Sequence, residues 1–314
     1  MPFIDLHCDT VHEMTNQNIG LDNNKLCISA EKLKSADILC QCFALYVNMA
    51  SYPSIDECWK RAEKMYDIFK AQERLHSESI VQVRSAADIE KAASECKTAA
   101  LLTVEEGGIC GENLERLNQL YDMGVRMITL TWNYENAIGY PNSTDAAVMN
   151  SGLKPFGIEF IENMQRLGMI IDVSHLSYGG FWDVAKHSRK PFVASHSNAK
   201  ALCDVSRNLT DEQLKALANS GGVTGINFYP SFLSRDKIGS IEQMISHIRH
   251  IKRVAGIDTI AIGSDFDGYD IPAELKSSAD LPKLADALKK AGFTADEIEK
   301  ICWKNALRVF KDVL

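Results

Sequence analysis

Several short stretches of the chain carry side chains able to hold a metal ion or move a proton. His7-x-Asp9 follows an apolar run, and period-2 alternation points both side chains to one side while Cys8 points away, so together they can hold one metal. His175 closes Ile170-Ile171-Asp172-Val173-Ser174-His175 and His196 closes Phe192-Val193-Ala194-Ser195-His196, each directly after an apolar run. A single histidine in such a place is commonly structural. Two in the same position, joined by His7, favour a metal, and neutral imidazole combined with carboxylate suits zinc. In Glu105-Glu106-Gly107-Gly108 two adjacent carboxylates would repel unless one faced solvent or a cation. One of them should point inward, and alternation alone does not decide which. Asp265 in Gly263-Ser264-Asp265-Phe266-Asp267-Gly268 is placed to serve as ligand or proton carrier, whereas Asp267 reads as an Asp-Gly turn. Arg207 could clamp a substrate carboxylate through two parallel hydrogen bonds.

These residues need a scaffold that brings distant segments to one face. Strand-like runs recur at 3–7, 38–47, 99–105, 125–131, 169–174, 192–195, 223–228 and 259–264, with helical stretches between them. Such alternation signals a parallel sheet covered by helices, and eight runs predict a closed (β/α)8 barrel of the TIM type occupying 1–314 as a single catalytic domain. The candidate residues then share the C-terminal face of the barrel, where barrel enzymes build their sites. Ser85-x-x-Asp88, Thr210-x-x-Gln213, Ser240-x-x-Gln243 and Thr294-x-x-Glu297 read as capping boxes or close variants, and Gly124, Gly168 and Gly256 as left-handed C-caps. The polar segment 136–151, just after a strand end, is expected to be the longest irregular loop. His76, His187, His247 and His250 fall in helical stretches with polar neighbours and are expected to face solvent or cap helices. His12 is off the motif spacing, and Cys40-x-Cys42 reads as a pair of buried thiols.

Composition narrows the function classes. Apolar residues at 46% and charged residues at 24% describe an ordinary globular chain. A formal net charge of −8 with no basic run disfavours nucleic acid and anionic membranes as partners. No apolar run approaches the roughly 20 residues that span a bilayer. The N-terminus lacks a signal-peptide pattern, and nine scattered cysteines fit a reducing cytoplasm better than a disulfide framework.

Taken together, the motifs resemble the membrane (renal) dipeptidase family of binuclear zinc metallopeptidases, in a soluble bacterial-type form. The similarity runs nearly end to end through His7-x-Asp9, Val104-Glu105-Glu106-Gly107-Gly108, Ile171-Asp172-Val173-Ser174-His175, Ser195-His196-Ser197, Ser206-Arg207-Asn208 and Gly263-Ser264-Asp265-Phe266-Asp267-Gly268. The resemblance implies two Zn²⁺ ions, with Mn²⁺ or Co²⁺ as substitutes. One would be held by His7 and Asp9 and the other by His175 and His196, with Glu106 bridging. It also implies Asp265 as the acid/base and Arg207 as the anchor for the substrate's C-terminal carboxylate. Where mammalian members carry a carbonyl-polarising histidine, this chain reads Leu130-Thr131-Trp132-Asn133-Tyr134, so Asn133 or Tyr134 is left to supply a donor.

The expected activity is hydrolysis of dipeptides with a free C-terminal carboxylate, including a D-configured C-terminal residue, by a hydroxide held between the metals. The partner is thus a small dipeptide; barrel enzymes often pair, so a homodimer is compatible with the sequence, which does not fix the oligomeric state. Competing readings are a related barrel amidohydrolase acting on N-acyl amino acids or cyclic amides, and a non-catalytic zinc-binding barrel.

Overall fold

Nine parallel strands form the frame of the computed structural model, which describes residues 1–270 and 273–314. They are β1 (Phe3–Asp5), β2 (Ile38–Tyr46), β3 (Ile80–Val83), β4 (Thr98–Glu105), β5 (Val125–Thr129), β6 (Ile170–Asp172), β7 (Val193–Ala194), β8 (Val223–Ile226) and β9 (Ile260–Ile262). Neighbours run β2-β1-β9-β8-β7-β6-β5-β4, and pairing of β2 with β4 from Cys40–Ala99 to Tyr46–Glu105 closes the ring. The result is the expected eight-stranded barrel with helices outside. The ninth strand, β3, was not foreseen. It adds to β4 through Ile80–Thr98 to Val83–Leu101, below the point where β5 takes over that edge.

Both faces of each strand are buried, as parallel barrels require. Along β4 the alternation is plain: Ala99 and Leu101 belong to the cluster inside the barrel, while Ala100, Leu102 and Val104 pack outward against the helices. The inner cluster also takes in Ile4, Leu6, Met127, Ile170, Val193, Val223 and Ala261, and the C-terminal helix Asn305–Val313 contributes Ala306, Val309, Phe310 and Val313 to it. That helix therefore forms the floor of the barrel and leaves the opposite, C-terminal end for chemistry.

The helix starts follow the sequence. Reciprocal capping boxes form at Thr210/Gln213, Ser240/Gln243 and Thr294/Glu297, while Ser85 caps Asp88 without the return bond. Each such cap stabilises its helix by about 1 kcal/mol. Gly124 (φ 95°) and Gly168 (φ 73°) end their helices in the left-handed conformation. Gly256 departs from expectation: at φ 88°, ψ 162° it reverses the chain into a short 3₁₀ turn and is not a left-handed helical cap.

The segment 136–151 is also less irregular than expected, because Asp145 caps a short helix over Ala146–Asn150. All nine cysteines are free. Among the described residues no helix is long and apolar enough to cross a membrane.

Candidate metal centre

The C-terminal rim gathers His7 and Asp9 after β1, Glu105 at the end of β4, His175 after β6, His196 after β7 and Asp265 after β9. His7 Nε2 lies 3.5 Å from Asp9 Oδ2, 3.3 Å from Glu105 Oε2 and 3.8 Å from Asp265 Oδ1. On the other side, Glu105 Oε1 lies 2.9 Å from His175 Nε2 and 3.5 Å from His196 Nε2. One carboxylate thus faces two groups of donors.

This geometry corrects the glutamate expected to bridge. Glu105 enters the cluster, and Glu106 points the other way. Glu106 accepts hydrogen bonds from Asn136 Nδ2 (2.5 Å), Gly108 N (2.8 Å) and Trp132 N (3.1 Å). Glu105 shares the inner face with Ala99 and Leu101, so alternation sends the next residue outward. Glu106 adopts φ 96°, a strained conformation for a non-glycine residue, and ties the end of β4 to the loop that carries Trp132 and Asn133. The Gly-Gly pair follows from the same packing. A Cβ on Gly108 would sit 2.5 Å from Glu106 Oε1, and one on Gly107 would sit 2.9 Å from Ile138 Cδ1.

The donor set fits divalent metal. His175 Nδ1 donates to Asn133 Oδ1 (3.0 Å), and His196 Nδ1 donates to Ser195 Oγ (2.7 Å), so both Nε2 atoms carry lone pairs. Those lone pairs lie 3.1 Å apart and form a triangle with Glu105 Oε1, 2.9 Å from one and 3.5 Å from the other, an arrangement that a bound cation makes favourable. His7 Nε2 and Asp9 Oδ1 are likewise buried without a hydrogen-bond partner.

Electrostatics separate the three histidines. Burial holds His175 and His196 well below the usual histidine range, so both imidazoles remain neutral, the form that can hold a metal. Burial opposes charge on His7 too, but the Glu105 and Asp9 carboxylates outweigh it and push its pKa up. Burial, reinforced by Asp9, raises both Glu105 and Asp265, although His7 works against it. Glu106 is raised to about 7 by burial, with its hydrogen bonds opposing.

Asp265 sits at φ 63° and accepts a hydrogen bond from Asn227 Nδ2 at 3.0 Å. Gly268 leaves room for it: a Cβ there would lie 2.4 Å from Asp9 Oδ2 and 2.6 Å from Asp265 Oδ1. Arg207 is only 7% exposed. Its Nη1 donates to Ser197 Oγ (3.1 Å) and its Nη2 to His196 O (3.2 Å), while Nε–H is buried without a partner. Asn133 lines the cavity as the acceptor for His175, and Tyr134 is 45% exposed, leaning on Trp132 with ring centroids 5.7 Å apart.

The cluster opens into a cavity of about 540 Å³ walled by Tyr46, Trp132, Tyr229, Phe232 and Tyr269, large enough for a dipeptide. Asp267, read as a turn residue, also fastens the rim by accepting from Thr10 Oγ1 (2.6 Å) and Cys27 N (2.7 Å).

Sequence reasoning gave no role to Asp5, Asp172, Ser195, Ser264 or Asn227, all of which support the cluster. The available signal was an acid inside an apolar strand run, Ile4-Asp5-Leu6 and Ile171-Asp172-Val173, which must find buried partners. His247 and His250 are corrections. Both are buried, His247 accepting from Ala199 N (3.1 Å) and donating to Leu233 O (3.0 Å), and His250 pairing with Asp211 (2.7 Å).

The sequence model of the membrane dipeptidase family, peptidase family M19, matches residues 1–314. A Klebsiella pneumoniae protein described as an uncharacterized protein in the pqqA 5′ region is 41% identical over 240 residues, 73% of this chain and 87% of its own. Among solved structures, a metallopeptidase named dipeptidase AC superposes with a TM-score of 0.92 at 26% identity, covering 100% of this chain and 98% of its own. A Rhodobacter sphaeroides metallopeptidase bound to a phosphinate mimic of L-Ala-D-Ala superposes with a TM-score of 0.91 at 25% identity, covering 100% and 99%. By its sequence, its barrel and its donor cluster, the chain belongs to the membrane dipeptidase family and is a metallodipeptidase.

Proposed function

We propose that the protein hydrolyses dipeptides bearing a free C-terminal carboxylate, D-configured C-terminal residues included, at a centre of two zinc ions. The observation that carries this reading is the Glu105 carboxylate, whose two oxygens separately face His7 and the His175/His196 pair. His7 and Asp9 would hold one ion and His175 and His196 the other, with Glu105 shared. When bound, such a pair supplies a water of lowered pKa and a Lewis acid for the scissile carbonyl.

The chain's own residues do the rest. Asp265, held at Oδ2 by Asn227 and raised in pKa by burial, is suited to take a proton from the attacking water and pass it to the departing amine. Arg207 offers an unpartnered, buried Nε–H, a donor that gains from meeting a carboxylate. The aromatic walls of the cavity exclude water around a short substrate. The relative bound to a mimic of L-Ala-D-Ala makes that dipeptide the first substrate to try.

The test compares L-Ala-D-Ala, L-Ala-L-Ala, their C-terminal amides, N-acetyl-alanine and dihydrouracil on zinc-loaded protein. Cleavage of the free dipeptides with loss on the amides is expected. Hydrolysis of dihydrouracil alone, or of nothing by folded and metal-loaded protein, would overturn the proposal.

A further inference from the structure

Two buried aspartates on opposite parts of the rim make the same contacts. Asp172 Oδ1 accepts from Ser195 N at 2.8 Å and its Oδ2 accepts from Ser195 Oγ at 2.6 Å. Asp5 Oδ1 accepts from Ser264 N at 2.8 Å and its Oδ2 accepts from Ser264 Oγ at 2.6 Å. Each clamp joins neighbouring strands, β6 to β7 and β1 to β9, and each serine directly precedes a residue of the cluster, His196 or Asp265.

The clamps differ in what else the serine hydroxyl meets: Ser264 Oγ lies 3.3 Å from His7 O and accepts from Phe266 N at 3.2 Å, and Ser195 Oγ lies 3.3 Å from Ser174 Oγ. Ser195 Oγ also meets His196 Nδ1 at 2.7 Å. A hydroxyl has one proton, and Ser195 donates it to Asp172, which also accepts from Thr129 Oγ1 (2.6 Å) and Ser174 N (3.0 Å). The oxygen of Ser195 must then accept from His196, which fixes the imidazole proton on Nδ1 and leaves Nε2 bare toward Glu105 and His175.

We infer that Asp172 and Ser195 form a relay that locks the His196 tautomer and aims its Nε2 at the metal, making both positioning residues for the second metal position. The inference rests on the metal reading above for its purpose, though not for the tautomer itself. A carboxylate acting on a ligand imidazole through an intervening hydroxyl does the work usually done by a direct carboxylate–histidine contact. The matching Asp5–Ser264 clamp reaches no imidazole and serves as an internal control.

The experiment reads imidazole ¹⁵N–¹H correlations of metal-free protein labelled at histidine, with His196 assigned by His196→Asn, alongside zinc affinity by chelator competition. The wild type is expected to show His196 protonated at Nδ1. Ser195→Ala is expected to lose that fixed pattern and to weaken one of two zinc equivalents by about 10- to 100-fold. Ser264→Ala should keep the His196 pattern. His196 protonated at Nε2 in the wild type, or a pattern indifferent to Ser195→Ala, overturns the relay. Absence of zinc binding by the wild type would overturn the metal reading instead, and the tautomer measurement, made without metal, still decides for or against the lock.

Discussion

The carboxylate of Glu105 spans the centre, with Oε2 3.3 Å from His7 Nε2 and Oε1 2.9 Å from His175 Nε2. Its neighbour Glu106 is equally buried yet bonded only to the loop behind it. Substituting each in turn separates the two roles. Glu105→Gln should leave less than one tightly held metal equivalent and abolish turnover, because both ions lose a shared anionic ligand. Glu106→Gln should retain two equivalents while costing about 1–3 kcal/mol of stability, since one amide hydrogen would face a donor. Metal analysis and chemical denaturation read both outcomes, and loss of metal on Glu106→Gln alone would reverse the assignment.

In the proposed function Asp265 moves a proton: Asn227 holds its Oδ2 while Oδ1 lies 3.8 Å from His7 Nε2, beside Asp9. Asp265→Asn should therefore keep both metals and lower kcat by about 10²-fold or more. Equal loss of metal and activity would make it a ligand instead. Unchanged kcat would remove it from proton transfer.

The barrel was legible because its signal is repeated: six of the eight apolar runs between 3–7 and 259–264 end on a polar residue, and eight runs over one chain outweigh the ambiguity of any single one. β3 escaped because four residues, Ile-Val-Gln-Val, lie in a region dominated by helix on either side. The choice between Glu105 and Glu106 was not legible from alternation. In a parallel barrel both strand faces are apolar, so Ala99-Ala100-Leu101-Leu102 reads the same inward and outward. Only the packing of Leu102 and Val104 against helices settles the parity. His247 escaped for a related reason: its polar neighbours suggest solvent, but the imidazole bridges the backbone of Ala199 and that of Leu233, which closes the short helix Pro230–Leu233.

Arg207 supports the strand ends and is proposed to anchor the substrate carboxylate, and its variants should show both. Arg207→Ala leaves Ser197 Oγ without its Arg207 donor and His196 O with only Asn227 Nδ2, and should destabilise by about 1–3 kcal/mol. It should also raise KM for free dipeptides far more than for their amides. A parallel loss on both substrates would restrict Arg207 to its structural bonds.

Gly225 and Gly263 hold the ground beneath His196. A Cβ on either would approach Ser195 O to 1.9 Å or 1.8 Å, contacts with backbone that cannot be relieved by a rotamer change. Gly263→Ala should thus push β9 from β7, lower the melting temperature by several degrees or more, and weaken zinc retention. A variant as stable and as metal-rich as the wild type would show that the strands separate without consequence.

His247 should contribute a pH dependence to stability. Burial lowers its pKa to about 4, against about 6.5 in the unfolded chain, although the hydrogen bond to Leu233 O works the other way. The sign follows from proton counting. Between those two values the unfolded state binds more protons, so stability is complete above pH 6.5 and is lost as pH falls toward 4. The lost contribution is on the order of 3 kcal/mol. Urea unfolding at pH 7.5, 5.5 and 4.5 on wild type and His247→Gln reads it: the variant starts less stable, yet its stability should fall less steeply below pH 6.5. Parallel slopes for the two proteins would mean that His247 takes up its proton in the fold as readily as in the unfolded chain.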